Sequence, residues 1–226
     1  MLCFGIKRGD FALRIKLKSI NPVAVFLLFF GCWLLWSVWQ VFILPSLPNN
    51  WFTVFVDLFV AKSVIWVFPF LLFPGGIKRF LSSFKRPIPW LVCLSVICLT
   101  VAFLYTIRVL NGLQNSKVLF DPLIIAISVS AGVIEEISFR FGFFECAEES
   151  LGMIFAAILN GVAFTVYHYP WIIVGRRDGL ISLRTLLIFI MGIVFCLMYK
   201  KWRSLLLVIL VHTLWDIFSY LFCLAG

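Results

Sequence analysis

Apolar residues run through this chain in long unbroken blocks. Neither the one-sided 3.6-residue rhythm of a soluble helix nor the alternation of a strand organises it. The blocks fall at 23–44, 51–73, 89–107, 118–140, 151–172, 185–199 and 204–225. A helix needs about 20 apolar residues to cross the hydrocarbon layer. Most of these blocks meet that length, and the short one at 185–199 is expected to extend at one end. The pattern predicts an all-α, polytopic transmembrane helical bundle of about seven spans. The ten-residue alternation of a membrane barrel is absent, and no internal repeat is evident. The first block exceeds a signal-peptide core and carries no small-residue cleavage site, so it reads as a retained span.

Composition agrees. Hydrophobic residues make up 63% of the 226-residue chain and charged residues 13%, against about 25% charged in soluble domains; the mean hydropathy is +1.11. No polar linker divides the sequence. The expected organisation is a basic tail, 1–20, and a single membrane domain, 21–226, with the chemistry-bearing part at 120–220. The tail holds Lys7, Arg8, Arg14, Lys16 and Lys18 against Asp10.

The net charge of +9 changes the picture little. Lys and Arg collect between the apolar blocks, where they meet lipid headgroups and set topology, so nucleic acid is excluded as a partner. With the N-terminus inside, the cytoplasmic segments hold the tail, then Lys78, Arg79, Lys85 and Arg86, then Lys200, Lys201 and Arg203. The outer segments hold Arg108 and Lys117, then Arg176, Arg177 and Arg184, which weakens the asymmetry. The expectation is an integral protein of a prokaryotic inner membrane, N-terminus cytoplasmic. The seven cysteines form no CxxC pair and read as apolar filler; Cys146 is the one near the acidic pair described next.

Charged groups inside lipid-spanning segments are costly and usually functional, so those in the blocks carry the chemistry. Glu135 and Glu136 are adjacent, followed by Ile137, Ser138, Phe139 and Arg140. On a helix Glu136 lies beneath Arg140, while Glu135 points about 100° away. Two neighbouring acids in low dielectric resist ionising together, an arrangement suited to moving protons. A buried structural ion pair, Glu136 with Arg140, would explain one glutamate and leave the other unexplained. Upstream, Ser128, Ser130, Ala131 and Gly132 are small and would let helices approach closely.

The only two histidines lie in later blocks. Phe164 and His168 share a helix face, so the ring could wall a pocket holding the imidazole. His168 precedes Tyr169 and Pro170, where a helix is expected to end or kink, so an interfacial histidine is the bland alternative. His212 and Asp216 are four apart, and a carboxylate on one ring nitrogen fixes the tautomer and leaves the other for substrate, water or metal. The bland alternative for Asp216 is a surface acid. Asp57 and Lys62 are five apart and poorly aligned for pairing; Lys62 is expected to snorkel. Glu145, Glu148 and Glu149 are expected to face water, and Asn160 could line the pocket.

In order, these motifs read EExxxR, FxxxH and HxxxD. Together they resemble the CAAX-protease and bacteriocin-processing family (CPBP, or Abi) of intramembrane endopeptidases, over about residues 120–220. The resemblance implies hydrolysis of a peptide bond in a membrane-associated substrate: a prenylated CAAX-like peptide, a bacteriocin or pheromone precursor, or a C-terminal sorting signal. It implies water activation by Glu135 or Glu136 with His168, and oxyanion stabilisation by His212 and residue 216. Where the family often has Asn, this chain has Asp216. Ionised Asp cannot donate a hydrogen bond, so orienting His212 is its expected role. The cofactor is none or zinc. A zinc would take its ligands from Glu135, Glu136, His168 and His212, yet no HExxH-like pair places two ligands on one helix. If the spans are straight, Glu135 and His168 fall at different depths, so the site requires a long, kinked or displaced helix.

Two other classes compete. A non-catalytic immunity or scaffold protein would keep the same pocket for binding. A proton-coupled transporter would also bury Glu, His and Asp, but more often with symmetry-related broken helices.

Overall fold

The computed structural model describes residues 21–72, 76–84, 87–110, 112, 122–175 and 181–223. The basic tail, Lys117, Arg176 and Arg177 lie outside the described residues. The helices are α1 (Val23–Ser46), α2 (Trp51–Leu71), a short α3 (Gly76–Ser83), α4 (Trp90–Leu110), α5 (Pro122–Leu151), α6 (Met153–Val174), α7 (Leu183–Trp202) and α8 (Leu205–Leu221). Among the described residues, six are long and apolar enough to cross a membrane, and α8 is a shorter apolar helix. An all-α polytopic bundle of about seven spans results.

Local chemistry marks the helix ends. The Asn21 side chain accepts the Val23 N–H at 2.9 Å, and Asn50 accepts the Thr53 N–H at 2.9 Å; both satisfy donors that the first turn leaves orphaned. Ser182 and Thr185 form a reciprocal capping box at the start of α7. Gly152, at φ 76°, makes the left-handed turn from α5 into α6.

The central element is α5. In its most apolar window 56% of residues are buried, against 17% for α4, so α5 is surrounded by protein while α4 faces outward. Aromatic residues gather along one flank: Phe29, Trp36, Trp66, Phe70, Phe139, Phe143, Phe164 and Tyr167. Tight contacts rest on missing side chains. A Cβ at Gly132 would overlap the Thr213 hydroxyl of α8. A Cβ at Gly192 would stand 2.9 Å from the Gly161 Cα, joining α6 to α7. The small upstream stretch does bring neighbours close: the Ser130 hydroxyl also donates to the Leu58 carbonyl of α2.

Three expectations need correction. The fourth span runs not to 140 but to Leu151, as a 30-residue helix, about 45 Å at ~1.5 Å per residue. Its final acids do not simply face water. Glu145 accepts the Tyr199 hydroxyl at 2.6 Å and lies 3.7 Å from Arg203, and Glu148 pairs with Lys200 and Arg203; Glu149 alone of the three is exposed. Finally, α6 continues through Pro170. Proline has no N–H for the carbonyl four residues earlier, here Val166. The indole N–H of Trp33 donates to that carbonyl instead, at 2.9 Å.

Candidate active site

Two helices widen where the charged residues sit. In α2, residues 56–61 and 63–67 take π-helical turns, and in α5 residues 131–135 and 137–144 do so. Such turns occur often at functional sites, because i→i+5 bonding re-aims side chains and releases carbonyls. The Phe139 carbonyl in that stretch accepts from the Asn160 amide at 2.7 Å. Asn160, fully buried, therefore braces α5.

Glu135 and Glu136 are both buried and face different partners. Glu136 is enclosed completely. Its Oε2 lies 2.9 Å from Arg140 Nε, and its Oε1 lies 2.6 Å from His212 Nδ1. The Arg140 guanidinium, with no exposure, stands between Phe164 and Phe195, at 4.6 and 5.2 Å from their ring centroids. Cation–π attraction of that kind is strongest when desolvated. Glu136 is thus tied at both oxygens and orients His212.

Glu135 turns toward α2 and α6. Its Oε1 accepts the Tyr167 hydroxyl at 3.0 Å and lies 3.5 Å from Lys62 Nζ. Its Oε2 has no hydrogen-bond partner and stands 3.7 Å from His168 Nε2. The opposite ring nitrogen of His168, Nδ1, is 2.7 Å from the Phe164 carbonyl. A carbonyl only accepts, so Nδ1 carries the hydrogen and Nε2 of the neutral ring offers a lone pair. Two hydrogen-bond acceptors therefore face each other across a gap too wide for a direct bond.

Phe164 links the parts. Its ring centroid lies 4.8 Å from that of His168 and 5.9 Å from that of His212, so it is the wall the FxxxH spacing foretold. Asp216 Oδ2 is 3.6 Å from His212 Nε2, longer than a hydrogen bond. The expected orienting role of Asp216 therefore falls to Glu136, and Asp216 sits at the outward nitrogen. Accessibility is graded. The side chains of His168 and Asp216 are 21% and 23% exposed, while those of Glu136 and Arg140 are 0%. The site opens at the first pair and is sealed behind the second.

All six residues singled out in the sequence, Glu135, Glu136, Arg140, His168, His212 and Asp216, converge here. Two more do so that sequence reasoning did not assign. Lys62 is buried and aims at Glu135 without snorkelling, and Tyr167 donates to the same oxygen. A lysine and a glutamate pair in one membrane domain was the available signal. Asp57 is engaged elsewhere, accepting from Trp39 Nε1 at 2.7 Å and Gln40 Nε2 at 2.8 Å. Cys146 is buried in the aromatic flank.

A catalytic zinc takes three protein ligands and keeps one open position. Here Glu136 bonds His212 through Nδ1, which leaves Glu135, His168 and the Nε2 of His212 as donors. Among the described residues no group of three His, Cys, Asp or Glu is arranged to hold a metal ion.

Residues 117–218 match the family model described as type II CAAX prenyl endopeptidase Rce1-like. The match agrees with the CPBP resemblance and covers the three motifs, while Lys62 lies outside it. No curated protein and no solved structure matches the chain.

Proposed function

We propose that this protein is an intramembrane endopeptidase that hydrolyses a peptide bond in a membrane-associated substrate. The substrate class is a prenylated CAAX-like peptide or another short, lipid-proximal segment. The carrying observation is the 3.7 Å gap between Glu135 Oε2 and His168 Nε2, both of them acceptors. A water beside that gap can donate one hydrogen to each and keep a lone pair for attack.

The water oxygen bonds to the scissile carbonyl carbon as Glu135 Oε2 takes its proton. The carbonyl π pair moves onto oxygen, and His212, as the imidazolium with its Nδ1–H on Glu136 and Asp216 beside it, donates through Nε2–H to that oxyanion. When the tetrahedral intermediate collapses, the C–N bond breaks and the proton held by Glu135 passes to the leaving nitrogen. Arg140 touches none of these atoms; it fixes Glu136, which fixes His212. The scheme is written without a resident metal.

The Rce1-like match over the motif-bearing region supports this reading, as does the enclosure of the site in a lipid-facing bundle. The test is purified protein in lipid nanodiscs with a prenylated CAAX peptide in heavy-oxygen water. The expected result is one new C-terminus carrying heavy oxygen. No cleavage of this peptide, nor of a membrane-anchored precursor, would defeat the proposal.

A further inference from the structure

Lys62 comes from α2, outside the Rce1-like region, yet reaches the centre of the site. Its side chain is 10% exposed, and its Nζ stands 3.5 Å from Glu135 Oε1 and 5.9 Å from the Trp36 ring centroid. A lysine in a membrane helix ordinarily stretches toward headgroups; this one is turned inward. Tyr167 donates to the same oxygen, and Trp36 stacks on Tyr167 with centroids 5.8 Å apart. Tyr167 therefore hydrogen-bonds Oε1 and the Lys62 ammonium stands at ion-pair distance from the same oxygen, while Oε2 is left without a hydrogen-bond partner toward His168.

We infer that Lys62 is a positioning residue that dedicates Glu135 to catalysis: it and Tyr167 hold Oε1, so that Oε2 is the oxygen presented to water. This deepens the proposed hydrolysis and rests on Glu135 being its base. The physical grounds are simple. A carboxylate rotates freely about its last bond unless one oxygen is anchored. An ionised carboxylate in a dry interior also requires a cation close by, since uncompensated buried charge is costly. Arg140 cannot serve, because it is committed to Glu136. Each acid thus has its own cation, Lys62 for Glu135 and Arg140 for Glu136. The catalytic centre of the Rce1-like region is completed by a residue that the region does not contain.

The test is a double-mutant cycle on the full chain in nanodiscs, read in thermal unfolding and in kinetics. Lys62→Met should lower Tm, and adding Glu135→Gln should restore part of the loss, since the buried charge left alone is then removed as well. With the prenylated CAAX peptide, Lys62→Met should lower kcat about tenfold or more per folded molecule, within the roughly 10²–10⁴-fold that a placed base contributes. KM should hold, and Lys62→Arg should recover much of the rate. In the Glu135→Gln background, Lys62→Met should cost nothing further. If Lys62→Met proves too unstable to assay, Lys62→Gln, which keeps a donor and loses the charge, is measured in the same way. No recovery of Tm in the double variant would overturn the pairing. An unchanged kcat, a change confined to KM, or an equal further loss without Glu135 would overturn the positioning role. Loss of hydrolysis in Glu135→Gln alongside a silent Lys62→Met would refute this inference and spare the base assignment. Full activity in Glu135→Gln would refute the base assignment itself.

Discussion

Glu136 and His212, on α5 and α8, are joined by a 2.6 Å hydrogen bond in the sealed back of the site. That bond divides the adjacent glutamates by task. Glu136 is consumed by structure, with Arg140 on one oxygen and His212 on the other. Glu135 keeps an oxygen in reserve. Adjacent positions on a helix point about 100° apart, so two neighbouring acids can serve two faces, and here they do.

Replacing Glu136 should therefore damage the fold before it damages the chemistry. Glu136→Gln leaves the Arg140 guanidinium buried without its carboxylate. Breaking one side of a buried ion pair costs about 3–5 kcal/mol. Thermal unfolding in detergent should show a large drop in Tm, and membrane abundance should fall. A Glu136→Gln protein as stable as the unmodified chain would argue that Arg140 is held by other means.

Asp216 offers a change that should be tolerated. Its carboxylate stands 3.6 Å from His212 Nε2 at the accessible edge of the site. Asn at this position could donate to the developing oxyanion, which ionised Asp cannot. Asp216→Asn is expected to process substrate as fast as the parent or faster, and Asp216→Ala to be slower. An Asn variant as slow as the Ala variant would mean that the negative charge is required.

Trp33 should matter at a distance. Its indole caps the Val166 carbonyl that Pro170 leaves unpaired. The acceptor is partly buried, so leaving it unsatisfied is expected to cost about 1 kcal/mol, the low end of the range for buried groups. Trp33→Phe should lower stability by that order and slow turnover, because Val166 lies two residues before His168. Pairing it with Pro170→Ala, which restores the missing N–H, should recover Tm; failure of that rescue would show that the indole acts in another way.

The cluster of charged residues was largely legible in the sequence because its members are conspicuous. Acids, an arginine and both histidines stand inside apolar blocks, where few functions other than a reaction centre or an ion path accept them. What stayed hidden depended on distant partners. A single lysine such as Lys62 reads equally well as a snorkelling residue until Glu135 is placed beside it. Pro170 reads as a helix end because Trp33, far away in the chain, supplies what the proline removes. The length of α5 was misjudged because Glu145 and Glu148 look like surface acids. Their cations, Lys200 and Arg203, arrive from the end of α7. The depth mismatch between Glu135 and His168 disappears because α5 is long and takes π-helical turns where the acids sit.

Turnover of the prenylated CAAX peptide by Glu135→Gln protein, per folded molecule, bears most directly on the claim that Glu135 and His168 activate water. Glutamine keeps the shape and the Tyr167 hydrogen bond and removes the proton acceptor. The expected result is loss of roughly 10²-fold or more in kcat in a protein that still inserts and unfolds cooperatively. Retention of the parent rate would contradict it.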